Sequence, residues 1–167
     1  NDVAIFQIGK LGGAGKISHN HGFLLGSHLA LLDALGQKAV DFVAWDPAAA
    51  ELLLIEVKDY RVGASQLPSE LPDVLAHKVR DTLAGLALAA MDGTSDVHGF
   101  GKALLQGCRL SVYLDIQWPQ NQRHPSSIVL SHLKQKVGMR LHQVVQNNHV
   151  VDQSAQKPWT VMDIPKT

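Results

Sequence analysis

A single cysteine, Cys108, leaves nothing from which to build a disulfide framework, so stability must come from packing. In its apolar run the thiol reads as a small buried hydrophobe, and its isolation suits a reducing cytosol. Net charge is lacking too. Fifteen Lys and Arg balance fifteen Asp and Glu, and affinity for a polyanion would therefore have to come from a local patch. Aromatic residues are scarce, at 5%, which leaves no visible stacking platform for nucleic acid. No helix-turn-helix or zinc finger is recognisable either. No apolar run reaches the roughly 18 residues of a membrane span; FLLGSHLALL is too short and carries His28. No signal peptide is visible in a sequence whose first residue is Asn1 and not Met. The expectation is a cytoplasmic protein without a membrane anchor.

What is present is ordinary globular material, 46% apolar and 18% charged, in a length that suits one domain. We expect a single domain over residues 1–167, with 1–22 flexible or irregular and the core over about 23–164. GFLLGSHLALLDALG, ending at Gly36, has the spacing of a first helix. KAVDFVAWDP and ELLLIEVKDY read as neighbouring strands, joined at Asp46-Pro47. DVLAHKVRDTLAGLALAAM is the strongest helical pattern, with Leu75, Val79, Leu83 and Leu86 along one face. GCRLSVYLDIQW reads as a third strand and SSIVLSHLKQKVG as an amphipathic helix, while HQVVQNNHVVD and PWTVMDI could add strands. This order predicts an α/β body.

Two stretches near the start mislead. In GKLGGAGKI five residues separate Gly9 from Gly15, one more than a phosphate loop allows, and Ile17 stands where a magnesium-binding hydroxyl is needed. A flexible glycine loop is the better reading. His19 and His21 in SHNHG could share a metal, but two ligands leave a zinc site open. A solvated loop accounts for them.

ELLLIEVKDY carries the chemistry. Residues two apart in a strand share a face, so Leu52, Leu54, Glu56 and Lys58 line up on one side. Asp41, Val43 and Trp45 do the same on the strand before. If pairing sets Asp41 beside Glu56, two carboxylates meet within a few ångströms and call for a cation between them. A hard divalent ion suits such a pair: magnesium takes oxygen ligands, often only one or two carboxylates, and keeps several waters. Asp41, Glu56 and the Val57 backbone carbonyl would serve, with Lys58 orienting the attacking water and balancing charge on a phosphate.

Asp41, the fifteen-position step to Glu56 and the Glu56-Val57-Lys58 triplet closing a hydrophobic strand resemble the PD-(D/E)xK signature of the restriction-endonuclease-like nuclease superfamily. The resemblance spans Phe23 to Trp118. It implies a central mixed β-sheet flanked by helices, Asp41 and Glu56 as ligands of Mg2+ (or Mn2+), and Lys58 as the catalytic lysine. The implied function is a metal-dependent endonuclease that hydrolyses phosphodiester bonds of nucleic acid, DNA first, in restriction, repair or defence. Val40 stands at the motif's proline. The helix Glu carried by many members has no counterpart here, and Asp33 is the one acid in the first predicted helix. Arg61, Lys78 and Arg80 are the candidate phosphate contacts, with Lys134, Lys136 and Arg140 as a second group, though Lys78 could instead pair locally with Asp81. Cutting both strands of a duplex makes a homodimer plausible. Either Lys58→Ala or Glu56→Ala is expected to abolish cleavage with the fold intact. The alternative is a catalytically inactive domain of the same fold that binds nucleic acid or a protein partner. A weaker third reading, a small α/β enzyme with His bases, requires two or more His in one pocket.

Overall fold

The computed structural model describes residues 4–7, 38–46, 48–60, 67–95, 97–118, 127–152 and 154–159 of the chain. In order these form β1 (Ala4–Gln7), β2 (Phe42–Asp46), β3 (Glu51–Asp59), α1 (Leu71–Met91), α2 (His98–Leu105), β4 (Arg109–Gln117), α3 (Ser127–Leu141) and β5 (Asn147–Asp152). The strands make one sheet in the order β1-β2-β3-β4-β5. β2 is antiparallel to β1 and β3, whereas β3, β4 and β5 run parallel. The molecule is therefore an α/β fold with a mixed sheet.

The antiparallel step needs only a tight turn, and Asp46 supplies it. Its Oδ1 accepts the amides of Ala48 at 2.9 Å and Ala49 at 3.1 Å, a side-chain turn that competes with further extension of the strand. Parallel pairing of β3 with β4 instead requires a long crossover, and α1 fills it. Pro72 stands in the first turn of α1, where a missing amide costs nothing. Leu75, Val79, Thr82, Leu86 and Ala89 repeat at helical spacing and are all buried. Residues 52–56 of β3 are buried on both faces, as the apolar run requires of a central strand.

The two faces of the sheet are covered differently. Val43, Leu52, Leu54, Leu110, Val112, Leu114 and Ile116 pack against apolar residues of α1, α2 and α3. Phe42, Ala44, Leu53 and Ile55 form a smaller cluster with Trp159, and Lys157 pairs with the buried Asp115 at 2.6 Å. Among the described residues, then, helices lie on one face and a C-terminal strap on the other, within the α/β body that the order of elements predicts. α2 was not foreseen; it lies against α1 so closely that a Cβ on Gly101 would collide with the Leu86 carbonyl oxygen. Gly107, at φ +80°, turns the chain from α2 into β4.

Other sequence expectations meet mixed outcomes. Residues 4–7, placed in an irregular segment, form edge strand β1. The strand expected over 142–152 begins only at Asn147, because α3 continues to Leu141 and ends in a turn. The first predicted helix with Asp33, the glycine loop, His19 and His21, Arg61, and residues 160–164 of the last predicted strand lie outside the described residues.

Candidate active site

Phe42 pairs with Ile55, and one further step along the same register sets Asp41 opposite Glu56. Both lie on the sheet face that α1 covers, because Val43 of β2 and Leu52 and Leu54 of β3 pack into the helix-side core. Asp41 is tied to β3 directly: its Oδ2 accepts the Val57 amide at 2.7 Å. The segment before it is tied to α1. The Val40 amide donates to the Thr82 hydroxyl oxygen at 3.0 Å, and that hydroxyl donates to the Lys78 carbonyl oxygen at 2.7 Å. Thr82 is completely buried, so strand entry and helix are locked through one side chain.

Glu56 is also completely buried. A carboxylate withdrawn from water costs several kcal/mol unless paired and hydrogen-bonded. Here two lysines meet it. Lys58 Nζ lies 2.7 Å from Oε1, and Lys78 Nζ, arriving from α1, donates to Oε1 at 2.7 Å and Oε2 at 2.9 Å. Lys78 also stands 3.8 Å from Asp41 Oδ1. The four groups form one neutral cluster of two carboxylates and two ammonium groups.

Compensation is uneven within it. Burial, followed by the neighbouring charge of Glu56, pushes the Asp41 carboxyl up to about 6, and the Val57 amide and both lysines only partly pull it back. Burial pulls Lys58 down, but its hydrogen bond to Glu56 and the charge of that group outweigh this and leave it raised. Between the ordinary carboxylate value and about 6, the folded protein holds a proton on Asp41 that the unfolded chain has released. Stability from this group is therefore greatest below that interval and is lost as pH rises through it. Asp41→Asn, which can still accept the Val57 amide, should be more stable than the parent by about 2 kcal/mol above pH 6.5. The two should converge towards pH 4. Urea unfolding across this range checks it, and an offset that does not change with pH would show that the Asp41 charge is not its source.

The structure thus gathers Asp41, Glu56 and Lys58, and adds Lys78, which the sequence assigns to phosphate contact. Lys78 does not reach Asp81 as its local partner; Asp81 Oδ2 instead accepts the Lys38 amide at 3.2 Å. Arg80, two residues on, points away from the cluster and donates to the Arg140 carbonyl oxygen at 3.3 Å, and Arg140 pairs with Asp73. Lys78 thus turns inward to the carboxylates, and Arg80 reaches across to α3. A signal for Lys78 was present: it stands three residues after Leu75 and four before Thr82, on the edge of the buried stripe. The part played by Thr82 had no such signal. Of the five described histidines, three make separate local contacts, His98 to the Ala89 carbonyl, His142 to the Met139 carbonyl and His149 stacked on Tyr113. Cys108 is only partly buried, at the margin of the helix-side core and not within it as expected, and that burial pushes its thiol up.

Among the described residues no group of three or more His, Cys, Asp or Glu could hold a metal. A two-carboxylate donor set nonetheless fits a hard cation that keeps most of its waters, and the under-compensated Asp41 is a group such a cation would relieve. No helix among the described residues is long and apolar enough to cross a membrane.

No family model and no solved structure matches the chain. A cysteine–tRNA ligase from Neisseria meningitidis serogroup A / serotype 4A (strain DSM 15465 / Z2491) is 31% identical over 129 residues, which is 71% of this chain and 18% of that protein. The chain thus spans less than a fifth of the curated relative that it matches.

Proposed function

We propose that the protein is a metal-dependent nuclease of restriction-endonuclease-like architecture. Asp41, Glu56 and the Val57 carbonyl would hold Mg2+ or Mn2+, and Lys58 would act on the phosphodiester. The observation that carries this reading is the convergence of Asp41, Glu56 and Lys58 from adjacent strands on one face of the sheet. A bound divalent ion supplies Lewis-acid polarisation and an acidified water. The chain's own residues do the rest. Lys58, with 28% of its side chain exposed, is the member of the cluster best placed to meet a phosphate from solvent and to offset its growing charge. Glu56, fully enclosed, fixes the direction of that ammonium. The Val57 amide and Thr82 hold Asp41 in register.

The substrate proposed is DNA, in the setting of restriction, repair or defence, with a homodimer as the assembly that would cut both strands of a duplex. The catalytically inactive alternative keeps its place for a specific reason: every carboxylate of the cluster already has a partner within the protein. The partial likeness to a tRNA ligase brings RNA into the comparison.

The test is direct. Supercoiled plasmid, linear duplex, single-stranded DNA and tRNA are incubated with the purified chain in Mg2+, in Mn2+ and in chelator. Cleavage of DNA that requires the ion is the expected result. Binding without cleavage in either ion would favour the inactive alternative, and cleavage undiminished by chelator would remove the metal-dependent reading.

A further inference from the structure

We propose that Lys78 is the resident cation of the Asp41–Glu56 pair and must withdraw before a divalent ion can bind between them. This rests on the metal-dependent reading above and adds how the site is kept shut.

The argument begins with which lysine sits where. Lys58 reaches Glu56 through Oε1, whereas Lys78 takes both Glu56 oxygens, at 2.7 and 2.9 Å, and comes within 3.8 Å of Asp41 Oδ1. Lys78 is thus the group that spans the two carboxylates, the position a shared ion would need. Charge makes joint occupancy unfavourable. With both lysines in place the cluster is neutral, and a divalent ion would bring it to a net charge of two in a largely buried setting, where repulsion between cations a few ångströms apart is weakly screened. Removing Lys78 halves that excess.

The fold permits this exchange. Lys78 carries its charge on a flexible four-carbon stem, and its side chain retains 14% exposure, so a path to water exists. The backbone does not need to follow. Thr82 holds the Lys78 carbonyl oxygen and the Val40 amide together, so the helix and the Asp41 segment keep their spacing while the side chain swings. In the resting protein the ammonium offsets part of the repulsion between two adjacent carboxylates. A lysine therefore keeps the site folded and closed until a stronger cation replaces it.

Two measurements decide the matter. Calorimetric titration with Mn2+ should show Lys78→Met binding at least about tenfold more tightly than the parent, because a closed form that dominates the resting population lowers apparent affinity in proportion. The gain should disappear in Lys78→Met with Glu56→Gln. In the parent protein, acetylation of Lys78 by an amine-selective reagent, followed by mass spectrometry, should become several-fold faster when Mn2+ is added. Equal or weaker binding by Lys78→Met, or labelling that Mn2+ slows or leaves unchanged, overturns the proposal. The labelling result stands even if the variant fails to fold. If Mn2+ binds the parent through Glu56 but Lys78→Met gains nothing, displacement fails while the nuclease reading survives. If neither form binds Mn2+, displacement fails together with the metal site itself.

Discussion

Glu56→Ala should unfold more readily than any other single change at the site, by about 3–5 kcal/mol, because it removes the buried anion that the largely enclosed Lys78 and the partly exposed Lys58 both meet. For a chain of this size that loss lowers the melting temperature by on the order of 10 °C. Most of the cost is the penalty of stranded partners, and only part is the lost attraction. A second substitution separates the two contributions. Glu56→Leu combined with Lys78→Met removes the carboxylate and the more enclosed of its two cations and refills the space, leaving Lys58, which reaches solvent, and well-packed apolar replacements of buried ion pairs are often neutral or stabilising. The double variant should therefore recover most of the stability lost by Glu56→Ala, measured by urea unfolding. A double variant as unstable as Glu56→Ala would show that packing around Glu56, and not unpaired charge, set the loss. The sequence-level expectation that Glu56→Ala leaves the fold intact is thus corrected by its complete burial. Lost cleavage in that variant would say little about chemistry.

Lys58→Ala is the cleaner probe of the proposed reaction. Lys58 is partly exposed, and Glu56 keeps both hydrogen bonds from Lys78 when it is gone, so the loss of stability should stay near 1 kcal/mol, the value of a partly solvated pair. Cleavage should nevertheless fall by about 10²- to 10³-fold, the usual loss when a positioned proton-transfer or charge-stabilising group is deleted. The two readouts must part company: a melting temperature lowered by only about 2–4 °C with a steep fall in single-turnover cleavage rate supports the role, and a rate within a few-fold of the parent removes Lys58 from it. Lys58→Arg is a useful companion, since it restores charge but not the compact ammonium. Partial rescue by Arg would point to charge balance rather than proton transfer.

The behaviour of Lys78 shows where reading from sequence stops. Spacing from Leu75 and Thr82 puts Lys78 at the edge of the buried stripe, but a lysine at such an edge reads equally as a solvated cation, and assigning it to a phosphate follows from its local position. Its inward direction depends on where the long crossover lays α1 across the sheet, and that placement follows from packing between residues far apart in the chain. The same holds for Thr82, whose hydroxyl matters only because Val40, forty-two positions away, happens to reach it. The C-terminal strap, with Lys157 on Asp115 and Trp159 against Ile55, is of this kind too.

Local pattern determined a good deal by itself. The apolar run of β3, the turn at Asp46, the stripe on α1 and the alternation in β4 each follow from residue spacing, because strand and helix periods are properties of the backbone and need no distant partner. The same periodicity put Glu56 and Lys58 on one face, and the hairpin register then set Asp41 opposite Glu56. What only the tertiary structure decided was the balance of charge: which cations close on the buried carboxylates, how far each is withdrawn from water, and so which side chain is free to act. Burial and pairing are set by the sum of long-range contacts, and no stretch of ten residues contains that sum.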